Sequence, residues 1–177
     1  MTNETTQHKF KRLYPPVHQS LQHFCRALSG NVPDAEDLMH DTILQAIQSI
    51  NRLKNEQAFK TYIFGIASNL NKMRFRRKKF HAEFNNEEVL ALTDYGTSPE
   101  YMVEFRMVYD RIMQLPAKQS EALILFHISD MSLEDIQKIQ GGSLSAVKQR
   151  LKRGREKLLE QCKSPGEKVV TMLFLSF

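Results

Sequence analysis

Apolar residues recur at intervals of three and four along most of the chain, the spacing of helices that pack through one face. A first helix is predicted over about residues 14–29 from four such positions: Val17, Leu21, Phe24 and Leu28. A second is predicted from a cap at Asp34 to about Ile50, and a long third helix begins near Glu56. Residues 1–12 are polar and are predicted to be disordered. No strand alternation of note appears, so the predicted fold class is all-α.

The second half of the chain has the pattern of a helix-turn-helix. Ser132 can cap a short helix, which the Gly141-Gly142 pair ends because glycine tolerates the backbone angles of a tight turn. Ser143 can then cap a longer helix that runs to about residue 161. Four apolar residues lie on one face of this last helix: Leu144, Val147, Leu151 and Leu158.

The other side of the last helix carries hydrogen-bonding and cationic side chains: Ser145, Gln149, Lys152 and Arg153, flanked by Lys148, Arg150, Arg155 and Lys157. A helix with one packed face and such an exposed face can enter a DNA major groove, where Gln and Arg recognise base edges and Lys neutralises phosphates. The alternative is a solvated charged face on an ordinary bundle helix. The order of short helix, glycine turn and basic helix favours DNA binding.

The third helix changes character along its length. Its first half, Phe59 to Leu70, is largely apolar, whereas six of the eight residues from 72 to 79 are Lys or Arg. Cations near a helix C-terminus interact favourably with the helix dipole, but this accounts for one or two charges rather than six. The formal net charge is +5, and its concentration in two clusters points to a polyanion. Nucleic-acid contact is therefore predicted here too.

A polar stripe follows the second helix with the spacing i, i+4, i+8 and i+11: Asp37, Asp41, Gln45 and Gln48. It is either solvated or a docking surface. A dimerisation face should be apolar, whereas a face that docks on a different protein can be polar, so the stripe argues against dimerisation through this helix.

Enzyme chemistry finds little support in the sequence. No Ser/His/Asp order or glycine-rich phosphate loop occurs, so no catalytic residue is predicted. His18, His23 and Cys25 do not share one helical face, so neither a metal nor another cofactor is expected. The polar start is not a signal peptide, and no run reaches the ~20 apolar residues that span a bilayer. The chain is expected to be cytoplasmic, without membrane insertion.

Several quoted stretches resemble sigma factors. AEDLMHDT (35–42), FKTYIFGIASN (59–69) and the basic run after them resemble region 2, and LPAKQ (115–119), MSLEDI (131–136) and VKQRL (147–151) resemble region 4. Their order and spacing resemble the extracytoplasmic function (ECF) group of the sigma-70 family. The organisation implied is two small helical domains on a flexible linker: region 2 (10–80), linker (81–100), region 4 (101–161) and an apolar tail (162–177).

The resemblance implies roles for the three surfaces. The β′ clamp helices of core RNA polymerase would bind Asp37, Asp41, Gln45 and Gln48. The unwound −10 element of promoter DNA would bind Asn69, Lys72, Arg74, Arg76 and Arg77. Region 4 would bind the β flap and recognise the −35 duplex through Ser145, Lys148, Gln149, Lys152 and Arg153. An anti-sigma factor would restrain an otherwise monomeric protein. The alternative function is a stand-alone DNA-binding regulator in which residues 14–80 dimerise or sense a signal.

Three positions depart from the family pattern. Tyr62 stands where Trp is usual, and because an aromatic ring remains, its packing is expected to be kept. Gln137 replaces a small residue and Gly142 an apolar one, and together they are expected to loosen the second domain by about 1–3 kcal/mol. The tail from Val169 to Phe177 is expected either to pack on region 4, the option favoured here, or to bind a regulator.

Overall fold

The computed structural model describes residues 2–78 and 108–162, together with the single residues 165, 168 and 171. The chain divides into two compact units, Met1–Glu88 and Val89–Phe177. Every regular element in the described ranges is helical, which confirms the predicted all-α class.

Four helices build the first unit: α1 (Thr2–Leu13), α2 (Pro15–Ser29), α3 (Val32–Ser49) and α4 (Phe59–Lys78). Two short 3₁₀ turns, Ile50–Arg52 and Glu56–Ala58, connect α3 to α4. The core lies where α2, α3 and α4 pack together, and its fully buried large side chains include Leu21, Phe24, Leu38, Ile63 and Phe64. This core fixes which faces of α3 and α4 remain exposed to solvent.

The cap of α3 differs from the prediction. Asn31, not Asp34, is the capping residue, and its side-chain oxygen accepts the backbone N–H of Asp34 at 2.8 Å. Gly30 precedes it with a φ of 77°, so the chain turns sharply between α2 and α3. Pro33 stands in the first turn of α3, where its missing N–H costs no helical hydrogen bond.

The expected disorder of residues 1–12 is wrong, because the chain forms α1 there. Phe10 is buried, stacks on Tyr14 at a centroid distance of 4.9 Å and meets Phe59 edge-on at 6.0 Å. Arg12 forms an ion pair with Glu56 at 2.7 Å, and this hydrogen bond lowers the pKa of the Glu56 carboxyl. Contacts with residues distant in the sequence therefore hold this polar helix against the first unit. The local apolar pattern does not predict these contacts.

The second unit contains the helix-turn-helix. Residues 108–114 belong to a helix, α5, which is followed by α6 (Ala117–Leu123), α7 (Leu133–Gln140) and α8 (Leu144–Gln161). A π-helical turn, Ile124–Ile128, extends α6, and Ser129 N–H donates to the Ile124 carbonyl five residues back. The predicted caps are confirmed, since Ser132 accepts from Asp135 N–H and Ser143 from Ala146 N–H, both at 3.1 Å.

Helices α6 and α8 approach each other closely at Gly154. A Cβ at this position would lie 3.1 Å from Leu123 Cδ1, so a larger residue would require the Leu123 side chain to shift. The core around this contact includes Leu123, Ile124, Leu125, Ile136 and Leu158. Gln137 does not loosen this core by burying an unpaired amide, because its Nε2 donates to the Gly142 carbonyl at 3.0 Å.

Two predicted segments lie wholly or largely outside the described residues. They are the linker, residues 81–100, and the tail, residues 162–177. Within the tail, Thr171 is buried, and its Oγ1 lies 3.2 Å from Cys162 Sγ at the end of α8. This contact brings Thr171 to the C-cap of α8.

Candidate docking and nucleic-acid surfaces

The four polar residues predicted to form a stripe on α3 are all exposed. The opposite side of α3 is buried through Ala35, Leu38, Thr42 and Ala46. Leu44 lies among the four stripe residues, three positions after Asp41, and is 57% exposed. Sequence reasoning missed Leu44, although its spacing from Asp37 and Asp41 places it on the same face. A single exposed apolar side chain is common at protein surfaces, so Leu44 joins this set by its position on the face. We call these five residues the α3 stripe.

The C-terminal half of α4 presents a cationic face. Asn69, Arg76 and Arg77 are exposed, whereas Lys72 is half-buried and donates from Nζ to Ser68 Oγ at 2.8 Å. Two apolar side chains between the cations, Met73 and Phe75, are 48% and 45% exposed. The apolar first half of α4 anchors this face, because Ile63, Phe64 and Ala67 are fully buried.

Arg74 differs from the other cations of α4. It follows the buried positions Ile63 and Ala67 at helical spacing, so its side chain turns toward α3 rather than outward. Its Nη2 lies 2.6 Å from Asp41 Oδ2, and its Nη1 donates to the Asp34 carbonyl at 3.0 Å. The structure therefore joins a residue predicted for −10 DNA to one predicted for polymerase, and the pair braces α4 against α3.

Tyr62 also ties α4 to α3. Its hydroxyl lies 2.6 Å from Ser49 Oγ, and its ring lies 6.3 Å from that of Phe59. The expectation that an aromatic ring keeps this packing is confirmed. Both surfaces of the first unit thus lie on helices, α3 and α4, that pack directly against each other.

All five residues predicted on the outer face of α8 are exposed: Ser145, Lys148, Gln149, Lys152 and Arg153. The opposite face is buried through Val147, Leu151, Gly154 and Leu158. Glu156, which the prediction omitted, follows on the exposed side and pairs with Lys152 at 3.9 Å. Its negative charge partly offsets the positive charge of Lys152 on this face.

A histidine at the π-helical turn is kept neutral. Burial, and after it the positive charge of Arg155, lowers the pKa of His127 to about 4. Arg155 Nη2 lies 3.2 Å from His127 Nε2, and the Arg155 guanidinium lies over the Phe126 ring at 5.4 Å. This cluster fixes the end of α6 against α8.

The neutral state of His127 predicts a pH dependence of stability. The ordinary pKa of histidine is about 6.5. Between that pH and about pH 4, the His127 imidazole binds a proton in the unfolded chain but not in the folded chain. The second unit should therefore lose about 1–2 kcal/mol as the pH falls through this window, after allowance for the partial exposure of the ring. Thermal denaturation of His127→Gln should show a smaller fall in Tm between pH 7 and pH 4.5 than wild type. His18→Gln, at an exposed histidine of α2, is the control, and equal falls in all three proteins would contradict the assignment.

Neither a metal site nor a membrane segment is present in the part of the chain that the structure describes. No three His, Cys, Asp or Glu side chains there could hold a metal ion. None of its helices is long and apolar enough to cross a bilayer.

Both cysteines are buried, and burial raises the pKa of the Cys25 thiol to about 12.

Comparison with known families defines the class of protein. The profile of Sigma-70 region 2 matches residues 13–81, and that of Sigma-70, region 4 matches residues 105–158. The region 2 match contains the α3 stripe and the cationic face of α4. The region 4 match contains the outer face of α8. These matches are to a family of transcription initiation factors.

Individual relatives define the group. The chain is 32% identical over 142 residues to the ECF RNA polymerase sigma factor EcfG of Rhodopseudomonas palustris, covering 78% of this chain and 77% of that protein. It is 31% identical over 149 residues to the ECF sigma factor SigW of Bacillus subtilis, covering 77% and 80%. The chain therefore belongs to the extracytoplasmic function group of the sigma-70 family.

Solved structures share the fold. The sigma factor RpoE, solved in complex with the anti-sigma factor NepR from Bartonella quintana, is 27% identical with a TM-score of 0.73, covering 85% of this chain and 94% of that one. CnrH, solved with the cytosolic domain of CnrY, is 22% identical with a TM-score of 0.63, covering 87% of each chain, and supports the fold alone.

Proposed function

We propose that this protein binds core RNA polymerase through the α3 stripe and directs it to promoters through α4 and α8. The stripe would dock on the β′ clamp helices, where Asp37 and Asp41 meet basic groups and Leu44 supplies apolar contact at the centre. Gln45 and Gln48 add hydrogen bonds toward the C-terminal end of α3. A mixed polar and apolar surface of this kind suits a partner that is bound and later released.

The α4 face would hold the unwound −10 element. Lys72, Arg76 and Arg77 neutralise backbone phosphates, and Asn69 hydrogen-bonds a splayed base. The exposed Phe75 and Met73 offer apolar surface on which an unpaired base can stack. Arg74, paired with Asp41, links this face to the α3 stripe. It would lie at the edge of the bound DNA.

The second unit would recognise the −35 element as duplex and bind the β flap. In this arrangement α8 enters the major groove with Gln149 and Arg153 toward base edges, and Lys148, Lys152 and Ser145 toward phosphates. Two modest contacts on one chain act together, because the first raises the effective concentration of the second. The polymerase and promoter partners place this activity in the cytoplasm.

An anti-sigma factor is the proposed regulator. The sigma factor RpoE, which is 27% identical to this chain, was solved in complex with such a partner, the anti-sigma factor NepR. An anti-sigma factor bound to this protein would prevent it from binding core RNA polymerase until a signal releases it.

The observation that carries the proposal is the separation of faces on three helices. The candidate residues of α3 and α8 and three of the five on α4 are exposed, and the opposite side of each helix is buried in a core. Transcription from genomic DNA fragments by sigma-free core polymerase provides the test. Addition of the protein should yield discrete start sites that core enzyme alone does not use. A folded protein that adds no start site would contradict the proposal.

Replacing Gln149 or Arg153 with alanine should change −35 preference. Each lost base contact is expected to cost about 1–3 kcal/mol at one position of the element and little on DNA that lacks it. Holoenzyme binding to promoters with single −35 substitutions measures this. Lys157→Ala, an exposed cation of α8 outside the proposed set, is the matched control. A uniform loss over all sequences would instead make these residues phosphate contacts.

A further inference from the structure

A buried polar network joins the three helices of the helix-turn-helix. Its centre is Gln140, the last residue of α7, which is 8% exposed. Gln140 Nε2 donates to Glu121 Oε2 at 2.9 Å and to the Lys118 carbonyl at 3.0 Å, both on α6. Gln140 Oε1 accepts from Arg150 Nη1 of α8 at 3.1 Å. One side-chain amide thus links α7 to the helices on either side of it.

The same network controls the turn that aims α8. Gly141 and Gly142 have φ angles of 74° and 92°, which glycine adopts without fixing them sterically. Arg150 Nη1 donates to the Gly141 carbonyl at 3.1 Å, and Gln137 Nε2 donates to the Gly142 carbonyl at 3.0 Å. Hydrogen bonds from side chains therefore fix the carbonyl groups of both glycines, whose backbone conformation would otherwise be flexible.

Arg150 is distinct from the cations on the outer face of α8. It is half-buried at the border of the packed face, whereas Lys148, Lys152 and Arg153 are exposed. Its Nη1 is directed at Gln140 and the turn rather than along the outer face of the helix. A guanidinium held by two fixed acceptors transmits the position of the turn to α8, because its planar fork resists reorientation.

We propose that Gln140 and Arg150 are positioning residues that set the angle of α8 for −35 recognition without contacting DNA. The inference rests on the proposed role of α8. Disrupting the network would tilt the helix and displace all its base-contacting side chains together. Specificity would then fall over the whole −35 element rather than at one base pair.

The test compares holoenzymes that carry Arg150→Met, Gln140→Met or, as matched control, Lys157→Met. Each is titrated with promoter DNA bearing the −35 element that wild type selects from a random pool, and with the same promoter after scrambling that element, over a range of salt concentrations. Both network variants should lower the ratio of the two affinities about tenfold, the loss of about one good base contact, spread over all positions. The salt dependence on scrambled DNA should remain that of wild type, and Lys157→Met should keep the wild-type ratio.

Several outcomes would overturn the inference. A salt slope that falls by about 1 in Arg150→Met would make Arg150 a phosphate contact, and a loss confined to one base pair would make it a base contact. If folded variants keep the wild-type ratio of the two promoter affinities, the network contributes only to stability and does not position α8. If circular dichroism shows Arg150→Met unfolded, Gln140→Met and Arg150→Lys carry the same comparison. Wild-type holoenzyme that does not distinguish the two promoters would contradict the role of α8 itself.

Discussion

Replacing Arg76 and Arg77 together with alanine is expected to lower the affinity of holoenzyme for promoter DNA about 10- to 100-fold at moderate salt. Each exposed guanidinium that neutralises a phosphate releases a counterion, so the salt slope should also fall by about 1.5 for the pair. Promoter opening, followed by permanganate reactivity of unpaired thymines at −10, should be lost. Binding to core polymerase should not change, because these residues lie on α4 and not on the α3 stripe.

The matched control removes two other exposed cations of the same unit, Arg52 and Lys54, in the connection between α3 and α4. This double alanine variant has the same net charge as the test variant. It should retain the wild-type salt slope and open the promoter. Equal losses in the two variants would reduce the role of α4 to general electrostatic attraction, and a normal slope without Arg76 and Arg77 would contradict phosphate contact.

Replacing Asp37 and Asp41 with alanine is expected to weaken binding to core polymerase by about 10- to 100-fold. Truncating one partner of an interfacial charge pair leaves the opposing charge buried and unpaired, which costs about 2–5 kcal/mol for a fully desolvated pair and less at a wet surface. Titration of fluorescently labelled protein with core enzyme measures the loss. The two aspartates are exposed, so Tm should change little.

Asp41 requires its own control because it also pairs with Arg74. An ion pair this exposed contributes about 0–1 kcal/mol, so Arg74→Ala and Asp41→Ala should lower Tm by similar small amounts. Only Asp41→Ala should weaken binding to core enzyme. Glu36→Ala removes an exposed acidic residue from the same helix outside the α3 stripe and should bind as wild type. Equal weakening by Glu36→Ala would indicate attraction by net charge rather than a defined docking surface.

How much the sequence predicts depends on whether a residue's neighbours are local. The faces of α8 were predictable because one helical period sorts Val147 and Leu151 from Gln149 and Arg153. The Ser132 and Ser143 caps were predictable because each bonds a backbone N–H three residues on. Leu44 was recoverable from the same periodicity, since its spacing from Asp41 places it on the stripe.

The features that the sequence did not predict depend on partners distant along the chain. Helix α1 has a single apolar anchor, Phe10, whose contact with Phe59 no local pattern indicates. Arg74 lies within a run of cations, and only its pairing with Asp41, thirty-three positions away, separates it from them. Gln140 occupies a helix face shared with the buried Ile136, but its partners on α6 and α8 appear only when the helices are packed.

The most direct test of the account is size-exclusion chromatography of the protein with sigma-free core RNA polymerase. The account predicts a stoichiometric complex that a second sigma factor displaces and that Asp37→Ala with Asp41→Ala weakens. A protein that is folded, free of any co-purified inhibitor and still elutes apart from core enzyme would contradict it. That result would favour a stand-alone DNA-binding regulator that acts through α8.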